Sequence, residues 1–365
     1  MAYSLAEINY RTVADPAGFI AECDAQYQSK VAEAAERILE NRKNSPIVLL
    51  SGPSGSGKTT TSMKIAEELE RRGVGTHYVG MDDYFKTVDS TTPRTEDGEL
   101  DLESPLCLDM ELLNRHFTQL ARGERVYVPK YEFSRRMRIQ EPSKSIKLKK
   151  DEIAIFEGIH ALNTMITGVH PEAVKLYISA RSDVEFQDNI VFKRTWFRLV
   201  RRLVRDYKFR GSDPKETMAM WANVRRGEML YISPFKRHVD FQFDTSLAYE
   251  LAVYNHTATK LFQSVPEGIE RFEELRAVLP ALQLFGDIEE SMVARTRWSG
   301  SSSAAAFTNT ETRCPTRRPG IVYLSKANRG EGRKFLCAGT GKNLLQYVGC
   351  VIMTASKNRQ EELSS

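Results

Sequence analysis

The chain has little of what would mark a secreted, membrane-bound or cysteine-stapled protein. Its 365 residues hold five cysteines (Cys23, Cys107, Cys314, Cys337 and Cys350), and no two stand in C-x-x-C spacing. A disulfide scaffold and a cysteine metal site therefore have no support, and a reduced, cytoplasmic setting is expected. No apolar run approaches the length of a bilayer span, and the N-terminus lacks a signal-peptide pattern, so no membrane partner is expected. Excess charge is also missing. The 52 Lys and Arg against 48 Asp and Glu leave a formal net charge of +4, which argues against a chain built to bind nucleic acid over its whole surface. What remains is 41% hydrophobic and 27% charged, the composition of a globular protein with one large domain or two ordinary ones.

Against this background one stretch stands out, Gly52-Pro53-Ser54-Gly55-Ser56-Gly57-Lys58-Thr59. It follows the apolar run Ile47-Val48-Leu49-Leu50 and precedes a helical pattern from Thr60 to Arg72. Strand, glycine-rich loop and helix are the context that the phosphate-binding pattern G-x-x-x-x-G-K-[ST] requires. Glycines let successive N–H groups turn toward phosphate oxygens, and the helix adds its positive end. In such a loop Gly52, Ser54, Gly55, Ser56, Gly57, Lys58, Thr59 and Thr60 form the nucleotide cradle. Lys58 reaches the β- and γ-phosphates, and the Thr59 hydroxyl sits on Mg²⁺.

The rest of the chain reads as an α/β protein. Residues 1–45 carry no strand signal, and a helix is expected from Ala17 to about Arg42, opened by Asp15-Pro16. His77 to Gly80 reads as a strand that runs into Met81-Asp82-Asp83-Tyr84-Phe85, and carboxylates at such a strand end lie where open α/β sheets bind ligands. Residues 86–101 are polar and turn-rich. A helix from Cys107 to Arg122 and a strand from Arg125 to Val128 follow. Next come Pro129-Lys130-Tyr131-Glu132-Phe133 and the basic run Arg135-Arg136-Met137-Arg138. Ile153 to Phe156 reads as a buried parallel strand with Glu157 at its exit, where a carboxylate can support Mg²⁺. Val174 to Ile178 and Phe241 to Phe243 read as further strands, and Glu250–Leu261 and Ile269–Leu282 as helices. From Arg194 to Arg210 the chain is crowded with arginine, and Arg198, Arg201, Arg202 and Arg205 recur at helical spacing. In a phosphoryl-transfer enzyme such a helix is expected to serve as a lid over about residues 194–230, its arginines stabilising charge on the transferring group. The composition shifts near residue 298, and residues 298–365 read as a basic, poorly ordered tail without an assigned role.

Taken in order, these segments resemble the uridine kinase and phosphoribulokinase family of P-loop kinases, from about Pro46 to Ala252. The quoted features are G-P-S-G-S-G-K-T-T, Met81 to Phe85, Leu102-Glu103-Ser104-Pro105, Pro129 to Phe133, Phe156-Glu157-Gly158-Ile159, and Arg198-Leu199-Val200-Arg201-Arg202 with Arg205-Asp206 and Arg210-Gly211. The resemblance implies a P-loop NTPase-type three-layer sandwich with a mostly parallel sheet and a helical arginine-rich lid. It implies a kinase domain over 46–297, with 1–45 as an N-terminal helical segment. By the same resemblance Asp82 is the catalytic aspartate, Glu103 holds ribose hydroxyls, and Tyr131, Arg136 and Arg138 line the acceptor pocket. Glu157 supports the metal, with Thr59 and Asp82.

The expected activity is ATP- and Mg²⁺-dependent transfer of a γ-phosphoryl group to a hydroxyl, foremost the 5′-hydroxyl of a nucleoside. Lys58, Asp82, Arg201 and Arg205 are the expected catalytic groups, and Arg198, Arg202 and Arg210 are expected on the triphosphate. Some acceptor-side positions depart from the family pattern. Its base-contacting histidine is Arg136 here, two of its aspartates are Glu103 and Glu132, and the acidic residue two before Arg198 is Trp196. A non-nucleoside acceptor such as pantothenate or a sugar phosphate therefore stays open, as does a nucleotide-gated RNA binder without turnover. A GTPase switch is disfavoured, because neither N-K-x-D nor a D-x-x-G after the loop occurs. The family resemblance also suggests a homo-oligomer.

Overall fold

The computed structural model describes residues 2–266, 268 and 272–293. The tail expected at 298–365 lies outside the described residues. The chain begins with a strand that its sequence does not announce, β1 (Ala2–Ser4), which lies parallel to residues 183–185. Three residues carry little β-propensity of their own, so the strand exists because an edge elsewhere in the chain supplies its hydrogen bonds. Helix α1 (Leu5–Ala14) follows, then α2 (Pro16–Asn41). The Asp15 carboxylate caps α2 by accepting from Gly18 N at 2.9 Å, and Pro16 occupies a first-turn position where no N–H is needed.

Strand β2 (Ile47–Ser51), the glycine loop and α3 (Lys58–Arg71) lead to β3 (Gly75–Gly80) and a 3₁₀ turn, Met81–Tyr84. After the turn-rich segment, α4 (Met110–Ala121) precedes a hairpin of β4 (Val126–Glu132) and β5 (Met137–Ile146). Its register shifts at Pro129, whose missing N–H suits a bulge. Next come β6 (Glu152–Glu157), the short α5 (Thr164–Thr167) and β7 (Val174–Ser179). Strands β8 (Asp183–Phe186) and β9 (Asn189–Phe192) form a tight hairpin. Gln187 and Asp188 take φ of 49° and 62° there, as a two-residue turn between twisted strands requires. Helices α6 (Arg194–Arg210) and α7 (Pro214–Tyr231), strand β10 (Phe241–Asp244), and helices α8 (Glu250–Gln263) and α9 (Phe272–Leu282) complete the described chain.

Five of these strands form one parallel sheet in the order β10-β7-β2-β6-β3. Side chains alternate between its faces. Val48 and Leu50 pack with α2 and α3 through Val31, Ala34, Ile38 and Ile65, while Ile47 and Leu49 join Phe156, Leu113 and Phe117 on the α4 side. That gives helix, sheet and helix, the three layers of the P-loop NTPase fold. A further apolar cluster joins α1, α6, α8 and α9 through Ile8, Phe197, Leu251 and Leu282. Register then fixes the site. Glu157 ends β6 opposite both Leu50 of β2 and Gly80 of β3. The glycine loop and the Asp82 turn therefore leave the sheet on either side of that carboxylate.

Candidate active site

The loop's glycines are placed by contact as well as by conformation. Gly55 has φ +74°, and a Cβ there would stand 2.5 Å from the Arg198 carbonyl oxygen. Gly57, at φ +83°, opens α3. Behind the loop, Glu157 gathers three partners. The Lys58 ammonium lies 3.7 Å from its Oε1, and the hydroxyls of Thr59 and Tyr78 donate to Oε2 at 3.1 and 2.8 Å. Lys58 is half-buried, and loss of solvation draws its pKa downward against the attraction of Glu157 and Asp82.

Asp82 and Asp83, adjacent in sequence, diverge in space. Asp83 turns toward the hairpin, where its Oδ1 is 3.5 Å from Tyr131 N. Asp82 remains at the site. Water reaches its side chain, yet protein crowds it closely. Desolvation first, and the charge of Glu157 second, push its pKa up to about 6, with Lys58 pulling the other way. The open water-facing side screens part of this effect. A carboxylate poised there can accept a proton from a hydroxyl near neutral pH.

The arginines of α6 separate into two groups. Arg198 is 2% exposed and donates through Nε to Ser54 O at 2.9 Å and through Nη1 to Glu228 Oε2 at 2.7 Å. Arg201 pairs with Glu250 at two points and reaches Ser56 O and Thr245. Both therefore grip the loop's backbone. Arg202, Arg205 and Arg210 instead surround Asp206, at 3.4, 2.7 and 3.5 Å, and Arg202 also donates to Ser54 Oγ at 2.7 Å. Arg205 and Arg198 both act electrostatically on Lys58, and Arg210 on Asp82. Helix α6 is expected to form part of an arginine-rich lid over about residues 194–230. In the structure its Trp196, Phe197, Leu199, Val200 and Leu203 are buried in the core. Helical spacing puts arginines on one side of a helix but does not say which carboxylates face them.

On the acceptor side, Glu103 packs against α7. A Cβ on Gly227 would stand 2.5 Å from the Glu103 Cβ. Burial raises the Glu103 pKa, while Arg202 and Lys58 lower it. Its neighbour Asp101 accepts from Arg226 Nη2 at 2.7 Å and Tyr231 OH at 2.8 Å, fastening this segment to α7. Tyr131 joins Phe85 and Phe133 in a cluster with ring centroids 5.0 to 6.2 Å apart, and Phe133 is 62% exposed. Arg136 stands in the hairpin turn at φ 51° with its side chain in solvent. Arg138, expected in the pocket, is engaged elsewhere. Its Nη1 holds Asp109 Oδ2 at 2.9 Å and its Nη2 holds Tyr84 O at 2.8 Å, which braces the Asp82 turn from behind.

These residues suit a magnesium nucleotide. Ser56 Oγ and Arg198 Nη2 are buried without a partner at the loop, polar atoms that a phosphate group can satisfy. Among the described residues no three His, Cys, Asp or Glu converge as a protein cage for a metal. Thr59, Glu157 and Asp82 offer the sparse oxygen set that leaves most of an Mg²⁺ shell to water and phosphate. Residues 47–250 match the Phosphoribulokinase / Uridine kinase family. The chain belongs to this family of kinases. It is 32% identical over 197 residues to a uridine kinase of Staphylococcus epidermidis, covering 53% of this chain and 84% of that protein. A uridine kinase of Macrococcus caseolyticus is 30% identical over 196 residues, covering 53% and 85%. Among solved structures, a D-glycerate 3-kinase from Cryptococcus neoformans aligns over 70% of this chain and 88% of its own, at 15% identity and a TM-score of 0.32.

As a member of that family the protein is a phosphotransferase with a hydroxyl acceptor. The kinase also uses residues that its motifs do not flag. Tyr78 holds the carboxylate that Thr59 holds, and Glu228 and Glu250 neutralise Arg198 and Arg201. Of these, only Tyr78 left a trace in the sequence, as a large polar ring in the strand leading to Asp82. No helix among the described residues is long and apolar enough to cross a membrane.

Proposed function

We propose that this kinase transfers the γ-phosphoryl group of ATP to the 5′-hydroxyl of a nucleoside. The observation that carries the reading is the ring cluster of Phe85, Tyr131 and Phe133 beside the Asp82–Asp83 turn. An exposed aromatic face next to the catalytic carboxylate suits stacking of a planar base, a contact that glycerate cannot make. The names of the uridine kinases among its relatives support the same choice.

When bound, Mg²⁺ with the triphosphate supplies the phosphoryl group and offsets the charge that develops on it. The loop amides and Lys58 hold the phosphates, and Thr59 and Glu157 orient the metal's ligand shell. Asp82 aligns the acceptor hydroxyl and takes its proton. Arg202, Arg205 and Arg210 face the charge that grows on the transferring group. Arg201 stands back from it, and Arg198 keeps one unpartnered Nη2 at the loop. Glu103 receives the sugar hydroxyls. The gain comes mainly from alignment and from fixed charge in a crowded site, since the transition state of such a transfer is loose.

A second reading has its own observation. Arg135 and Arg136 lie exposed at the hairpin turn, where the family pattern has a histidine. Arg135 is paired with Glu132 at 3.6 Å, and the Arg136 guanidinium favours an anionic acceptor such as a sugar phosphate or pantothenate. A coupled assay of ADP release against nucleosides, ribulose 5-phosphate and pantothenate separates the two. Nucleoside-dependent release supports the first reading, and release with an anionic acceptor alone replaces it with the second.

A further inference from the structure

We propose that Arg201, with Thr245 and Glu250, is a positioning unit that holds the phosphate loop in its nucleotide-receiving shape and makes no contact with the phosphates. A full count of the guanidinium's donors points there. Arginine has five N–H groups. Nε donates to Glu250 Oε1 at 2.6 Å. Nη1 is shared between Ser56 O at 3.4 Å and Thr245 Oγ1 at 2.9 Å. Nη2 is shared between Thr245 O at 2.7 Å and Glu250 Oε2 at 2.5 Å. None is left for a ligand, and Glu250 already balances the charge. The Thr245 hydroxyl, while accepting from Arg201, donates to the same Ser56 carbonyl at 2.7 Å.

Peptide geometry explains what this achieves. In a planar trans peptide the C=O of one residue and the N–H of the next point in opposite directions. Two donors on the Ser56 carbonyl therefore aim the Gly57 N–H the other way. Arg198 does the same one step earlier, since its Nε on Ser54 O at 2.9 Å aims the Gly55 N–H. Both glycines sit at positive φ, +74° and +83°, and have no side chain to anchor them. Unbraced, each would lose backbone entropy on taking this shape. The brace imposes the shape before the nucleotide arrives.

The test measures Mg·ATP and Mg·ADP affinity by fluorescent-nucleotide competition in the full chain, with the melting temperature of the nucleotide-free protein recorded alongside. In Arg201→Met, ATP and ADP affinities are expected to fall together by roughly ten-fold, with their ratio unchanged. Thr245→Val should lower both by roughly three- to five-fold with little change in melting temperature, and Thr245→Ser, which keeps the hydroxyl, should restore them. Removing Arg201 strands Glu250, so if Arg201→Met does not fold, the Thr245 pair decides. Loss of ATP affinity with ADP affinity intact would make Arg201 a γ-phosphate contact and overturn the proposal. Unchanged affinity for both nucleotides in Thr245→Val would overturn it as well, whatever happens to the melting temperature.

Discussion

Tyr78 and Thr59 donate to the same oxygen, Glu157 Oε2, at 2.8 and 3.1 Å. The two hydroxyls come from different sides of the carboxylate, one from β3 and one from the start of α3, and hold it between the loop and the Asp82 turn. Tyr78→Phe leaves the ring in place and removes one of these donors. The Mg²⁺ concentration for half-maximal turnover is expected to rise by roughly five- to ten-fold, with a smaller change in kcat at saturating Mg²⁺. A magnesium titration at fixed ATP checks this, and an unchanged midpoint would separate Tyr78 from the metal.

Lys58→Ala and Asp82→Asn should part company in binding. Each is expected to lower turnover by at least ~10²-fold, but only Lys58→Ala should greatly weaken ATP. Nucleotide titration of both variants distinguishes a phosphate-holding lysine from a proton-accepting carboxylate. Retained turnover in Asp82→Asn would remove the base assignment.

The raised Asp82 pKa, about 6, has two consequences of opposite sign. For activity, the base must be ionised, so kcat/KM should fall about ten-fold per pH unit below that value. For stability, a carboxyl whose folded-state pKa lies above its unfolded value favours the folded chain most when protonated. That contribution is full below the unfolded pKa and is lost as pH rises through about 6. Asp82→Asn, which cannot ionise, should therefore melt higher than the parent at pH 7.5 and match it more closely at pH 5. Melting curves of the ligand-free proteins at the two pH values test this.

Gly227→Ala should act on the acceptor and spare the nucleotide. The added methyl would stand 2.5 Å from the Glu103 Cβ, an atom that cannot swing aside without moving its backbone. The acceptor KM is expected to rise while the KM for ATP changes little. Equal changes in both would point to a general disturbance of α7.

The phosphate loop, the parallel strands after residue 46 and the carboxylates Asp82 and Glu157 were legible because each is a local pattern. A buried parallel strand is a continuous apolar run, and a glycine loop has a fixed spacing. Strand β5 was missed because its sequence, from Met137 to Ile146, is largely polar and carries a proline. It is held by pairing with β4, not by an alternating apolar face. β1 was missed for a related reason, since its partner lies about 180 residues away. The arginines of α6 were legible as a charged helix but not as two groups. Glu228 and Glu250, which draw Arg198 and Arg201 into the interior, stand 30 and 49 residues further along the chain. Arg138 was assigned to the acceptor by its place in a motif, while Asp109 and the Tyr84 carbonyl claim it in the fold.

The central claim is phosphoryl transfer to a nucleoside hydroxyl with Asp82 as the base. ADP release from Mg·ATP, measured against uridine, cytidine, adenosine, guanosine, pantothenate and ribulose 5-phosphate, tests it most directly, with Asp82→Asn as the control. The account predicts release that depends on one or more nucleosides and is lost in the variant. Release that is indifferent to every nucleoside, or that persists in Asp82→Asn, would contradict it.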